Sequence, residues 1–218
     1  MGLAALRLAT MLLSLTFSVN AAAETPFERQ VLVLLNEARA KPQRYAEELR
    51  QYRGYFHANL VRYPGMDAAI ETQEGVKVVD ETIGFLGHQS SLGSIEPSAL
   101  LRATAHDLVA DQSKSGATGH EGADGTSPGD RSQRRGGGPY VAEVITYGSI
   151  DPADVVRQLI VDDGVADRGH RGIIYSPELR FAGVSCGSHP EYRTMCVIDL
   201  GIFPDGSYPA RGTRMAAR

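Results

Sequence analysis

Apolar residues recur at helical spacing in the first quarter of the chain, which predicts two helices there. Thr25 is suited to an N-cap, Pro26 to the first helical turn, and Glu28 to the reciprocal contact of a capping box. The apolar face of this first helix is predicted to contain Phe27, Val31, Leu34, Leu35 and Ala38. Pro42 ends that helix or starts another, and helical spacing continues through Tyr45, Leu49, Tyr52 and Phe56.

The second half of the chain alternates predicted helices with predicted strands. One helix opens at Pro97 or Ser98 and ends at Gly116, and another opens at Asp151, which is suited to the N-cap. Strands are predicted over residues 141–147, 181–186 and 195–203, the last two as an antiparallel pair. Helices and antiparallel strands in mixed order predict an α+β layered domain.

Residues 57–97 give mixed signals. Val76, Val78 and Val79 are typical of a strand, whereas residues 80–88 fit a short helix. The composition does not change enough in this region to mark a separate domain.

Composition and charge narrow the class of protein. The chain has 218 residues, of which 42% are hydrophobic, which is enough for one well-buried domain. The formal net charge of −4 and the absence of long runs of like charge argue against nucleic acid as a partner. We also expect a monomer.

The N-terminus has the pattern of an export signal. Arg7 precedes an apolar stretch over residues 8–19, and Ala21-Ala22-Ala23 forms a small-residue cleavage site. The sequence therefore predicts a signal peptide over residues 1–23, a domain over 24–203 and a disordered polar tail over 204–218. A retained N-terminal helix is the alternative. Export leads either to the periplasm or to the extracellular medium, and no membrane span is expected in the mature chain.

The chain contains two cysteines, Cys186 and Cys196, ten positions apart. An even cysteine count in an exported protein predicts a disulfide, here between two strands joined by a loop. Two free thiols are the alternative.

Three candidate functional residues, His120, Glu143 and His170, are far apart in the sequence. Both histidines lie in polar segments next to glycine, and Glu143 interrupts an otherwise apolar strand. A carboxylate at such a position faces solvent, a cleft or a partner, because burying it alone costs several kcal/mol. Two imidazoles and a carboxylate are a possible set of zinc ligands. Without a metal, Glu143 could instead hold an imidazole in one tautomer.

Several ordered motifs resemble one known family. Residues 119–126 with Asp130-Arg131 look like a GHxGxDGS…R signature, and residues 142–145 look like a GENI strand. Asp163 with residues 168–171 resembles a DDG…RGHR motif. The segments 36–39 and 181–184 resemble the usual N-terminal helix and a late strand. Over roughly residues 27–203 the chain therefore resembles the CAP superfamily, the SCP domains of cysteine-rich secretory, antigen and pathogenesis-related proteins.

The resemblance implies a three-layer α-β-α sandwich with a small antiparallel sheet and a central cleft. That cleft usually carries two histidines and two glutamates, and His120, Glu143 and His170 match three of the four positions. Asp162 (or Asp163) falls near the fourth. The chain departs from the family pattern at three other places, with Leu159 for a Trp, Val144 for an Asn, and Gly172-Ile173 for Lys-Asn.

The expected function is binding rather than catalysis. The resemblance implies a small hydrophobic ligand such as a sterol or fatty acid, a metal ion such as zinc, or a protein partner. The alternative is a metal- or histidine-dependent hydrolase, peptidase-like, with Glu143 as general base. A structural module of the cell envelope would need no cleft chemistry.

Overall fold

The computed structural model describes residues 23–65 and 67–208. Within these ranges the chain forms seven helices and seven strands. The helices are α1 (Pro26–Ala40), α2 (Pro42–Arg53), α3 (Val76–His88), α4 (Ala99–Ser115), α5 (Pro128–Arg134), α6 (Pro152–Val161) and α7 (Gly169–Ile174). The strands are β1 (Phe56–His57), β2 (Leu60–Val61), β3 (Ile70–Glu71), β4 (Glu96–Pro97), β5 (Ala142–Tyr147), β6 (Phe181–His189) and β7 (Arg193–Gly201). The predicted signal peptide, apart from Ala23, lies outside the described residues.

The larger sheet has the strand order β4-β6-β7-β5. The strands β6, β7 and β5 pair antiparallel, and the short edge strand β4 pairs parallel with β6. Helices α4 and α5 cover one face, and the other face packs against a layer that includes α1 and α6. The predicted α+β class is confirmed in the three-layer form, with the parallel pairing of β4 as an added detail.

Alternation along β5 and β7 directs side chains to two separate cores. Val144 and Ile198 lie in the core shared with α1 and α6. Ile145 and Val197 lie in the core beneath α4. Because successive strand residues face opposite sides, Glu143 points to the same side as Ile145, toward α4 and α5.

Gly183 allows α4 to approach the sheet closely. A β-carbon at this position would lie 1.8 Å from the backbone nitrogen of Arg102, so no larger residue fits without moving the helix. Gly183 is directly opposite Asp199 across β6 and β7. At Gly183 the backbone of β6 therefore packs directly against the backbone at the start of α4.

Most predicted helix boundaries are confirmed by their caps, but α2 ends at Arg53, so the prediction that helical spacing continues through Phe56 is wrong and Phe56 lies in β1. Thr25 and Glu28 form both hydrogen bonds of the capping box, and Asp151 accepts from the Asp154 N–H. Ser98 caps α4, and Gly116 ends it in the left-handed conformation with φ 69°. Because each cap saturates backbone groups that a helix leaves unpaired, local chemistry fixed these ends.

The interpretation of Val76, Val78 and Val79 as strand residues is wrong. All three lie in α3, where Val78, Val79, Thr82 and Leu86 form the buried face. Their spacing matches the helical repeat, and burial of that face outweighs the local preference of β-branched residues for strands. The preceding residues form a separate small sheet of β1, β2 and β3.

The two late strands are joined by a disulfide between Cys186 and Cys196. The two cysteines are directly opposite each other in the antiparallel register. The prediction of a disulfide is confirmed, and Cys186 and Cys196 leave no free cysteine in this sequence. The first strand continues to His189, three residues beyond its predicted end.

The domain extends beyond residue 203, where the disordered tail was expected to begin. The Ser98 hydroxyl donates to the Pro204 carbonyl, Gly138 N–H donates to Asp205 O at 2.7 Å, and Tyr140 N–H donates to Gly206 O at 2.9 Å. The predicted tail beyond Tyr208 lies outside the described residues. No helix in the described ranges combines the length and the apolar character needed to cross a membrane.

Candidate functional site

His120 is placed by the loop that follows α4. Gly119 has φ 96°, a conformation open mainly to glycine, and it turns the chain just before the histidine. The loop is tied back to the domain at Gly119, whose N–H donates to the Tyr147 hydroxyl at 2.9 Å and whose carbonyl accepts from Gln112 at 2.7 Å. The glycine beside His120 therefore serves the close turn that the sequence indicated.

His120 and Glu143 form a direct pair. The Nδ1 atom of His120 lies 2.9 Å from Glu143 Oε1. The Glu143 side chain is 1% exposed, whereas the His120 side chain is 50% exposed. No hydrogen bond to His120 Nε2 occurs among the described residues. The carboxylate therefore holds the Nδ1 side of the imidazole, and Nε2 points outward.

Arg131 neutralises the buried Glu143 from α5. Its Nη2 donates to Glu143 Oε2, and its side chain is 4% exposed. Its Nη1 donates to the backbone carbonyls of His120 and Thr126, each at 3.0 Å. Arg131 thus holds both the carboxylate and the loop that carries the histidine, which explains why Asp130-Arg131 follows the glycine-rich motif.

Asp199 is a member of this network that the sequence interpretation missed. It lies opposite Glu143 in the β5–β7 register and is fully buried. The Thr104 hydroxyl contacts Asp199 Oδ2, whereas Oδ1 has no hydrogen-bond partner in the described part of the chain. Burial, followed by the neighbouring Glu143, raises the pKa of Asp199 well above its ordinary value. A carboxylate in the apolar run Cys196–Gly201 was the available signal, of the same kind that identified Glu143.

His170 and Asp162 form a second pair of the same kind. His170 Nδ1 lies 2.6 Å from Asp162 Oδ1, and the Asp162 side chain is 1% exposed. Asp162 Oδ2 also accepts the backbone N–H groups of His170 at 3.0 Å and Arg171 at 3.2 Å. Asp162 therefore orients the imidazole and satisfies two backbone donors in the first turn of α7.

Asp162 rather than Asp163 supports the second histidine. Asp163 instead accepts the N–H groups of Gln73 at 2.7 Å and Glu74 at 2.8 Å. It therefore anchors the segment that follows β3.

The two pairs are held by different elements of the fold. Glu143 points toward α4 and α5, whereas Asp162 and His170 lie at the junction of α6 and α7, and α6 packs on the other face. No hydrogen bond or ion pair among the described residues links one pair to the other. That all these side chains line one cleft stays a prediction.

The residues present do not fit a zinc centre with three protein ligands. Glu143 and Asp162 direct their oxygens to histidine Nδ1 atoms, arginine or backbone N–H groups, and both side chains are buried. Within residues 23–65 and 67–208, no group of three or more His, Cys, Asp or Glu residues is placed to hold a metal ion. As placed, both carboxylates support the imidazoles, so a metal bound here would be held through the histidine Nε2 atoms.

A cavity lies beside the His120 loop. Its volume is about 280 Å³. It is lined by Asp107, Leu108, Asp111, Gly122, Ala123, Asp124, Thr126, Arg131 and Arg134. Its three acidic groups all have partners within the protein: Asp124 contacts Arg134, Asp107 contacts Arg135, and Asp111 accepts from the Ala123 N–H. These contacts stabilise the wall of the cavity.

Comparison with known proteins gives little further information. No family model and no curated protein matches this sequence. One solved structure that is similar to the chain is an outer surface protein from Borrelia burgdorferi, with 15% sequence identity and a TM-score of 0.41. The match covers 50% of this chain and 77% of that one. At this TM-score the likeness supports no inference about fold or function.

Proposed function

We propose that this chain is an exported CAP/SCP-like binding protein whose ligand contacts the imidazoles of His120 and His170. One observation carries the proposal: each histidine has Nδ1 bonded to a buried carboxylate and Nε2 without a partner in the described residues. Such a pairing fixes the neutral tautomer with its proton on Nδ1. The free Nε2 then accepts a hydrogen bond, and it donates one when the ring is protonated.

The ligand class follows from this chemistry together with the family resemblance. The resemblance implies sterols or fatty acids, and their hydroxyl or carboxyl head groups match the two states of the imidazole. The aliphatic part of the ligand rests on the resemblance alone. A metal ion is the less favoured occupant, because only the two imidazole Nε2 atoms of these pairs, and neither carboxylate, are left to bind it.

Export is part of the same proposal. The N-terminal pattern predicts cleavage after Ala23, and the disulfide is typical of proteins that fold in oxidising compartments. Mass spectrometry of the protein from its own host is expected to find a mature chain that begins at Glu24, in the periplasm or the medium. An uncleaved chain in the cytoplasm would contradict export.

The binding proposal is tested with oleate, cholesterol and Zn²⁺ as separate probes. We expect the wild-type protein to bind one of the two lipids and the variants His120→Ala and His170→Ala to bind it at least about tenfold more weakly, which corresponds to about 1.4 kcal/mol. His57→Ala is the control, because His57 is exposed and pairs with no carboxylate in the described residues. Lipid binding that both alanine variants retain would reject the assignment of the site. Binding of Zn²⁺ without either lipid would reject the ligand class.

A second candidate function is supported by the pairing of His120 with Glu143. A half-exposed imidazole held by a buried carboxylate is also the arrangement of a general base with its orienting group. In that case His120 is the base, because both Glu143 oxygens are engaged and its side chain is buried. A substrate screen would find hydrolysis that Glu143→Gln strongly reduces. Activity that this variant retains in full would reject the mechanism.

A further inference from the structure

We propose that Asp199 is a neutral carboxylic acid that positions His120 through Glu143. The proposal extends the His120–Glu143 pair into the core and does not depend on which ligand His120 binds. Asp199 touches neither His120 nor solvent, so its role is that of a positioning residue.

The geometry places two carboxyl groups side by side in a dry part of the molecule. Glu143 and Asp199 are cross-strand neighbours on the face that α4 and α5 cover. The other residue of this row is Gly183, which has no side chain. Arg131 is the cation in contact with the pair, and it bonds to Glu143. Two ionised carboxylates beside one cation would leave a buried charge without compensation.

No donor in the described residues reaches the second oxygen of Asp199, and the buried Arg131 Nε, which also lacks a hydrogen-bond partner there, donates to neither carboxylate. Glu143 accepts from His120 and Arg131, which engages both of its oxygens. Asp199 Oδ1 is buried and accepts from no group in the described residues. A proton on Asp199 removes this deficit, because the acid then donates where a carboxylate could only accept.

Thr104 indicates which oxygen of Asp199 carries that proton. Its hydroxyl contacts Asp199 Oδ2 and also lies 2.8 Å from the Leu101 carbonyl oxygen. The hydroxyl donates its single proton to Oδ2, so the proton of a neutral Asp199 lies on Oδ1, the oxygen without a partner in the described residues, and is available to Glu143.

The groups that face Asp199 from the surrounding elements favour the same state. Glu143 from β5 contributes a negative charge, Thr104 from α4 contributes a neutral hydroxyl, and Gly183 from β6 contributes no side chain. Arg131 from α5 is already paired with Glu143. Burial, then the charge of Glu143, accordingly raises the pKa of Asp199.

The functional consequence concerns the direction of the His120 ring. A neutral Asp199 adds a donor to Glu143 without adding charge, and it confines that carboxylate between Arg131 and the imidazole. His120 is then kept with Nδ1 toward the core and Nε2 toward solvent. An ionised Asp199 would instead repel Glu143 and could not donate a hydrogen bond to it.

The test combines infrared spectroscopy with NMR on three variants of the full-length mature protein. The wild type is expected to show the carbonyl stretch of a protonated carboxyl at neutral pH, and Asp199→Asn is expected to lose it. Asp124→Asn is the control, because Asp124 is exposed and paired with Arg134, and it should leave the band unchanged. A band that persists in Asp199→Asn would overturn the proposal.

The NMR measurement tests the positioning role. An amide can donate to Glu143 and accept from Thr104, so Asp199→Asn should keep the hydrogen-bonded Nδ1–H resonance of His120. Asp199→Ala should lose that resonance, and the asparagine variant remains informative if the alanine variant does not fold. Loss of the resonance in Asp199→Asn, or its retention in a folded Asp199→Ala, would overturn the positioning role.

Discussion

At the scale of single residues, the pair of Arg131 and Glu143 makes the sharpest energetic prediction. Both side chains are almost fully buried and bonded to each other. Arg131→Met leaves Glu143 without its cation, and we expect the free energy of unfolding to fall by about 3–5 kcal/mol, because an uncompensated charge stays in the core. Denaturant titration of the purified variant measures this loss.

The matched variants separate charge from packing. Arg131→Met combined with Glu143→Gln removes both charges, and the double variant should recover part of the loss, giving a clear coupling energy. Arg134→Met is the surface control, since Arg134 and Asp124 are both largely exposed, and it should leave stability nearly unchanged. Equal losses for Arg131→Met and the double variant would contradict an electrostatic origin.

Residue-level reasoning recovered part of this network. The sequence indicated Glu143 because a carboxylate stood in an apolar strand, and the same argument applies to Asp199, which was missed. The family resemblance put Asp162 (or Asp163) near the fourth cleft position, whereas the pairing of Asp162 with His170 and its role as a support follow from the fold. A sequence shows which charges must be satisfied, but the partner depends on strand register and helix packing.

At the scale of elements, Asp162 determines the structure of the junction between α6 and α7. This residue has φ 60°, ends α6 in the left-handed conformation, and accepts the N–H groups of the second and third residues of α7, His170 and Arg171. Asp162→Gly leaves these donors unpaired and should cost about 1–3 kcal/mol of stability. Asp162→Ala should cost about 1 kcal/mol more, because alanine also resists a positive φ.

Asp162→Asn tests the same junction with a smaller change. Asparagine tolerates the left-handed conformation but has one acceptor oxygen, so it can satisfy either the imidazole or the backbone N–H groups. We expect thermal unfolding to rank the proteins from most to least stable as wild type, Asn, Gly and Ala. An alanine variant as stable as the glycine variant would contradict the conformational argument.

Elements with strong local signals were the ones that the sequence predicted well. Thr25, Ser98, Asp151 and Gly116 fixed helix ends through contacts within a few residues. Residues 57–97 were ambiguous because their structure depends on distant partners. Asp163 anchors the backbone near Gln73 from far along the chain, and the valines of α3 are helical because they pack on one buried face.

At the scale of the whole molecule, Glu81 joins α3 to the α6–α7 segment. It accepts hydrogen bonds from Arg168 and Arg171, and Arg168 also binds Glu74 next to the small sheet. The hydrogen bonds from Arg168 make the largest contribution to lowering the pKa of Glu81 from 4.5 to about 2. A carboxyl with a lowered folded-state pKa stabilises the protein above its ordinary pKa, and that contribution disappears as the pH falls through the folded value.

The resulting prediction is a difference in acid stability. Glu81→Gln should be less stable than the wild type at neutral pH, and the difference should shrink as the pH falls from about 4.5 toward 2, where the wild-type carboxyl becomes protonated. Unfolding measured across this range tests the prediction, with Glu178→Gln as an exposed control that should follow the wild type throughout. Because the arginines hold three parts of the chain together through this carboxylate, the loss should appear in global unfolding. A constant difference between wild type and Glu81→Gln at every pH would place the effect in packing instead of charge.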